Sequence, residues 1–266
     1  MDKLNYLIKE LLSERKEYEN ISIPKDANAK KRLYRGLVNE RLPGAISDEY
    51  IIIQDEYLQE ELSEKPLVEA NNIPTVNEQF IENSIKNGDR ICLWQGDIVT
   101  LKIDAIVNAA NNRLLGCMLA NHMCIDNVIH TAAGLQLREE CNEIIERQGH
   151  FEKTGSAKIT KGYNLPCKYV VHTVGPIIND EVSKTDAELL KSCYLSSLKL
   201  AEENEAKSIA FCSISTGEFM FPNRLAAEIA LKTIDEYLND SNIEKVVIDV
   251  FKDIDFEIYK ELIQKR

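Results

Sequence analysis

The chain has 266 residues, with 44 Asp and Glu against 32 Lys and Arg, for a net charge of −12. With 44% hydrophobic and 29% charged residues it reads as an ordinary folded protein, not a disordered or fibrous one, long enough for one or two domains with a sizeable core. The acidic balance argues against a binder of duplex nucleic acid, which needs a basic face, but leaves room for a nucleotide held by backbone N–H groups.

The opening stretch, Met1 to Glu10, lacks the unbroken apolar run of a signal peptide. No segment approaches the about 20 apolar residues of a membrane span. The seven cysteines are an odd number, so they are expected to be cytosolic thiols or metal ligands and not a disulfide framework. Leu4, Leu7, Ile8, Leu11 and Leu12 recur at helical spacing between Asp2 and Asn20. Leu33, Tyr34, Leu37 and Val38 do so between Ala27 and Glu40. A third helix is expected over 47–64, opening on the cap-like Ser47-Asp48-Glu49, with Pro24 and Pro43-Gly44 as separators. These segments read as an amphipathic helical cap, and 65–90 as a linker with a weak helical stretch. The expected division is a helical N-terminal extension over 1–90 and a second domain over 91–266.

From Ile91 short apolar runs alternate with long amphipathic ones. Strands are expected at 91–95, 104–108, 156–160, 169–173, 208–212 and 245–250, and helices at 122–148, 184–204, 223–239 and 254–265. Near-continuous apolar strands between amphipathic helices mean a sheet covered on both faces, a three-layer α/β/α sandwich.

Two segments carry chemistry. Cys117, His122 and Cys124 form C-x4-H-x-C, and two thiolates with an imidazole suit zinc. With three protein ligands the fourth position stays open, as in a catalytic zinc site. The spacing alone also fits buried thiols beside an incidental histidine. The second segment, Ser213 to Phe219, joins an apolar strand to a helix starting near Pro222. Such a loop presents backbone donors to an anion, although a tight turn explains it equally.

Gly96-Asp97-Ile98, Asn108-Ala109-Ala110-Asn111, Leu115-Gly116, Ile125 to Gly134, His172-Thr173-Val174-Gly175-Pro176 and Ile214-Ser215-Thr216-Gly217 occur in the order seen in macrodomains. Over residues 91–266 the chain resembles the MacroD-type ADP-ribosyl hydrolases, which implies a mixed central sheet. One departure is informative. The Gly-rich run usual before the acidic residue at Asp126 is replaced by Cys117 to Cys124. In this the chain is similar to the zinc-containing, sirtuin-linked microbial branch, whose members also carry a helical N-terminal extension.

The resemblance implies roles. Asp97 accepts from the adenine amino group and Ile98 N–H reaches an adenine ring nitrogen. Asn111 contacts the distal ribose, while Asn108 ties loop backbone together. Asp126 positions or activates water, although an Asp there could also be a helix N-cap. Ser215, Thr216, Gly217, Glu218 and Phe219 form the phosphate loop. Their amides hold the diphosphate, the Glu218 side chain points outward and Phe219 packs on ribose. Cys117, His122 and Cys124 bind Zn2+ beside the distal ribose. His172 is read as a satisfied core or loop histidine, Trp94 as core, and the other five cysteines as small buried hydrophobes.

The implied activity is removal of mono-ADP-ribose from Asp or Glu side chains of a protein, with Zn2+ as cofactor. Alternatives are an ADP-ribose reader, an O-acetyl-ADP-ribose deacetylase, or a zinc that only clips a loop. The resemblance also implies a lipoyl-carrier protein as substrate and a sirtuin-type ADP-ribosyltransferase as partner, with neither nucleic acid nor membrane.

Overall fold

The computed structural model describes residues 2–264. Three helices come first: α1 (Lys3–Ser13), α2 (Ala27–Glu40) and α3 (Asp48–Ser63). Each starts where a side chain accepts a free first-turn N–H. Asp2 accepts from Asn5 N, Asp26 from Ala29 N and Ser47 from Tyr50 N. Leu4, Leu7, Ile8 and Leu11 meet Leu37, Val38, Ile53 and Leu58 in one buried cluster, in which Tyr34 and Tyr57 pack edge to face at 5.4 Å.

Residues 65–90 are not a loose linker. They form a short strand β1 (Val68–Glu69), a 3-10 turn at 70–72 and a one-turn helix α4 (Val76–Gln79). Ala70, Ile73 and Val76 are buried against the sheet that follows. Arg90 donates to the carbonyls of Leu238, Ser241 and Ile243, and Asn87 bonds Asp235. The apolar residues of this stretch are too sparse to show a period, yet Ala70, Ile73 and Val76 are all buried.

The remaining elements are β2 (Ile91–Gln95), β3 (Leu101–Ala110), α5 (Ile125–Ala133), α6 (Leu135–Gln148), β4 (Ala157–Lys161), β5 (Cys167–Val174), α7 (Lys184–Glu203), β6 (Ser208–Phe211), α8 (Asn223–Leu238), β7 (Lys245–Val250) and α9 (Asp253–Gln264). The sheet order is β2-β7-β6-β3-β5-β4, with β1 paired to the start of β3. All pairings are parallel except β4 with β5, so the sheet is mixed.

Alternate residues of each strand serve opposite faces. On β3, Ala105 and Val107 enter the core under α7, α8 and α9, while Ile106 between them enters the core under α5. On β7, Val246, Ile248 and Val250 take the first side and Val247 the second. Both faces are therefore covered, as in a three-layer sandwich.

The expected single helix over 122–148 is two helices behind a loop. Gly134, at φ +96°, ends α5 and starts α6. Residues 118–124 lie outside any helix, and Met118 and Asn121 take φ of +58° and +59°. Within the expected range the break is Gly134, whose φ no helical repeat can pass through, and the first turn opens at Ile125, three residues later than expected. α6 also anchors the helical cap: buried Arg138 donates to the carbonyls of Val38 and Arg41 at 2.6 Å each.

Candidate active site

The carboxyl ends of the parallel strands face two loops, 111–124 after β3 and 212–222 after β6. Such crevices are where ligands of open α/β sheets bind.

The first loop carries the acid. Cys124 is the N-cap of α5, and Asp126 lies in its first turn. Its side chain does not cap the helix but turns inward and is buried. Asn108 Nδ2 donates to Asp126 Oδ1 at 2.8 Å, and Asn111 Nδ2 donates to Oδ2 at 3.4 Å. Burial pushes the carboxyl up to about 6, against the lowering effect of the Asn108 bond and the Arg138 charge. A carboxylate poised near neutrality suits proton transfer better than a surface one.

The tying of loop backbone expected of Asn108 falls to Asn111. Asn111 ties the loop: its Nδ2 donates to Gly116 O at 2.8 Å, and its Oδ1 accepts from Arg113 N at 2.9 Å. Asn108 leaves the loop backbone alone and shares its amide between Asp126 and His172 Nδ1, the latter at 3.1 Å. His172 in turn bonds Thr160 Oγ1 through Nε2 at 2.9 Å, with Cys141 Sγ at 3.6 Å. It is a satisfied core histidine whose burial depresses its pKa to about 3.

His130 Nε2 stands 3.5 Å from Asp126 Oδ1, but burial holds that imidazole neutral, so they form no ion pair. His130, Cys141 and His172 bring ligating atoms within 4.8 Å of one another. Both ring nitrogens of His172 are already engaged, which leaves no lone pair for an ion.

Cys117, His122 and Cys124 form the other cluster, their ligating atoms all within 4.8 Å and Cys117 Sγ 3.2 Å from His122 Nδ1. All three are half-buried beside Asp126. Two sulfurs and one imidazole nitrogen at this separation are a soft donor set that fits zinc and leaves a coordination position unfilled by protein. Glu218 was expected to point outward. It is exposed, yet its Oε1 lies 3.5 Å from His122 Nε2, so the 212–222 loop reaches across the crevice to the 111–124 loop.

The second loop is shaped for close approach. Ser215 is buried at φ +64°, its Oγ without a partner among the described residues. Phe221 N donates to Ser215 O at 2.9 Å, Met220 N to Gly217 O at 3.0 Å, and Ile178 N to Phe219 O at 2.9 Å. Thr216 Oγ1 donates to Ser213 O at 3.2 Å. Gly217 is open, with nothing within 4 Å of the place a Cβ would take. Gly175, next to this loop, is closely approached: a Cβ there would stand 1.9 Å from Ser215 Oγ, and one of the two would have to shift.

At the far end, Asp97 accepts from Val99 N at 3.3 Å and lies 3.7 Å from Lys65 Nζ, with Ile98 buried behind it. The Asp97 side chain stays 44% exposed, so it is free to accept from a ligand. Trp94 packs at the edge of the α5-side core. Cys92, Cys141, Cys193 and Cys212 are buried and Cys167 half-buried.

The macro domain family matches residues 107–230. A curated protein-ADP-ribose hydrolase of Staphylococcus aureus (strain MRSA252) is 49% identical over 261 residues, 97% of this chain and 94% of that protein. Among solved structures, the Oceanobacillus iheyensis macrodomain with ADP superposes with a TM-score of 0.61 at 38% identity, covering 68% of this chain and 93% of that one. The Trypanosoma brucei macrodomain in complex with ADP-ribose gives 0.65 at 29% identity, covering 85% and 94%. With a relative this similar over nearly its whole length, the chain belongs to the macrodomain family, on its protein-ADP-ribose hydrolase branch.

Proposed function

We propose that this chain is a zinc-dependent hydrolase that removes mono-ADP-ribose from Asp or Glu side chains of a protein. One observation carries the reading: a buried carboxylate, Asp126, held by two asparagine amides beside a Cys117–His122–Cys124 cluster. A module that only reads ADP-ribose needs neither.

Asp97 accepts from the adenine amino group, and the amides of Ser215 to Phe219 hold the diphosphate without a basic side chain. This lays the distal ribose beside Asn111 and Asp126. Cys117, His122 and Cys124 would hold zinc, and the metal, when bound, would supply Lewis-acid polarisation of the sugar. Asp126 accepts a proton from the water that attacks C1″. The bond from C1″ to the substrate's ester oxygen breaks, and the carboxylate leaves with the electron pair. ADP-ribose and a free Asp or Glu side chain result. A carboxylate is a better leaving group than a guanidine nitrogen, so esters are favoured over arginine linkages.

A lipoyl-carrier protein as substrate, modified by a sirtuin-type transferase, completes the reading. None of the seven cysteines is in a disulfide, which suits a reducing compartment. Among the described residues no helix is long and apolar enough to cross a membrane.

The test is chromatographic detection of ADP-ribose released from two peptides, one modified on Glu and one on Arg. Release from the Glu ester alone, lost on Asp126→Asn, supports the reading. No release from either peptide, with ADP-ribose still bound, overturns it.

A further inference from the structure

The loop 117–124 has few bonds of its own. Met118 and Asn121 occupy the left-handed region, which strains residues other than glycine. Its internal support includes one backbone bond, His122 N to Leu119 O at 3.1 Å. Its order comes from outside, and much of it from the N-terminal extension.

We propose that α2 is a positioning element for the metal ligands, acting through Asn39 and Arg35; the inference rests on the zinc reading above. Asn39 is fully buried and uses both ends of its amide. Its Oδ1 accepts from Asn121 N at 3.0 Å, and its Nδ2 donates to Thr131 Oγ1 at 3.0 Å. Thr131 Oγ1 donates to Asn127 O at 2.6 Å. Asn127 Nδ2 then donates to Leu119 O at 2.9 Å and to His122 O at 3.4 Å.

Arg35 Nη2 adds a second donor to His122 O at 3.2 Å. The helix lies so close that a Cβ on Gly36 would be 2.9 Å from Asn121 Nδ2. The backbone of His122 is therefore gripped by Arg35 from α2 and by Asn127 from α5, and that of Asn121 by Asn39. Ordering a strained loop costs conformational entropy. A loop already ordered by α2 does not charge that cost against metal binding.

None of these α2 residues touches the crevice chemistry, so their effect runs through Cys117, His122 and Cys124. The experiment strips the full-length protein of metal and measures zinc affinity by competition with a chromophoric chelator. Circular dichroism and Tm of the zinc-free protein are recorded alongside. Arg35→Met keeps the apolar stem and removes the donor. Asn39→Leu removes both bonds, and Asn39→Asp keeps the acceptor for Asn121 N–H.

Arg35→Met and Asn39→Leu are each expected to weaken zinc binding about tenfold, the scale of lost support behind a ligand. Asn39→Asp retains more affinity than Asn39→Leu, and the zinc-free Tm of Arg35→Met stays at the wild-type value. Wild-type zinc affinity in both Arg35→Met and Asn39→Leu overturns the proposal, because the loop then supports itself. A wild-type protein that takes up no zinc overturns the zinc reading beneath it, a result distinct from the first.

Discussion

Asn108 Nδ2 donates to Asp126 Oδ1 at 2.8 Å while the Asn108 Oδ1 has no partner among the described residues. A strand residue thus aims the carboxylate from behind, and the same amide rests on His172. The acid is set by the sheet and not by its own helix.

Asn108→Ala should therefore act on turnover. Asp126 loses its short hydrogen bond and is free to rotate from the attacking water. Small misplacements of a reacting group cost up to about 10²-fold in rate. We expect kcat to fall about 10- to 100-fold with KM changed little. Steady-state kinetics on a Glu-linked substrate check this, and an unchanged kcat contradicts it.

Gly175 gives a prediction on binding. Gly175→Ala drives a methyl into Ser215 Oγ, and the buried Ser215 side chain must shift, carrying its strained backbone with it. ADP-ribose affinity should drop about tenfold, of the order of the 1–3 kcal/mol that overpacking costs. Ser215→Gly, which removes the clashing oxygen and suits φ +64°, should restore much of it in the double variant. Calorimetric titration of ADP-ribose reads both. Equal loss in the single and double variants would show that the contact is not the cause.

Asp249 gives a prediction on stability. Burial, together with the charge of nearby Asp97, raises its carboxyl well above the ordinary value of 3.8. The folded state thus binds this proton more tightly than the unfolded chain. Stability from this group is greatest below the unfolded value and is lost as pH rises through the raised folded value. Asp249→Asn should raise Tm at pH 8 and do little or the opposite near pH 3. The gain is on the order of 1 kcal/mol, about 2–4 °C for a domain of this size. Thermal melts at the two pH values decide, and a lower Tm at pH 8 sinks the argument.

How much of this was legible beforehand depends on range in sequence. The strands at 91–95 and 245–250 and the helices from 27, 184 and 223 follow from apolar runs and periodicity, and the structure has them within a residue or so. Cys117, His122 and Cys124 meet because they are close in sequence. Two kinds of feature escaped. Left-handed φ at Met118 and Asn121 has no glycine to announce it, so nothing marks the loop's end and the expected helix starts at 122, three residues before α5. Contacts such as Arg138 to Val38, Asn39 to Asn121 and His122 to Glu218 join residues about a hundred positions apart, and no local pattern carries them. Asn108 carries the same lesson. Its type and place on β3 were visible, but which amide would find Asp126 depended on the path of the loop after it.

The central claim is that the metal cluster serves turnover and not merely the fold. Release of ADP-ribose from a Glu-modified protein, measured as purified, after chelation and after zinc is restored, tests it most directly, with circular dichroism on each sample. The account predicts that turnover vanishes on chelation and returns with zinc while the spectrum holds. Full turnover in the chelated, zinc-free protein would contradict it.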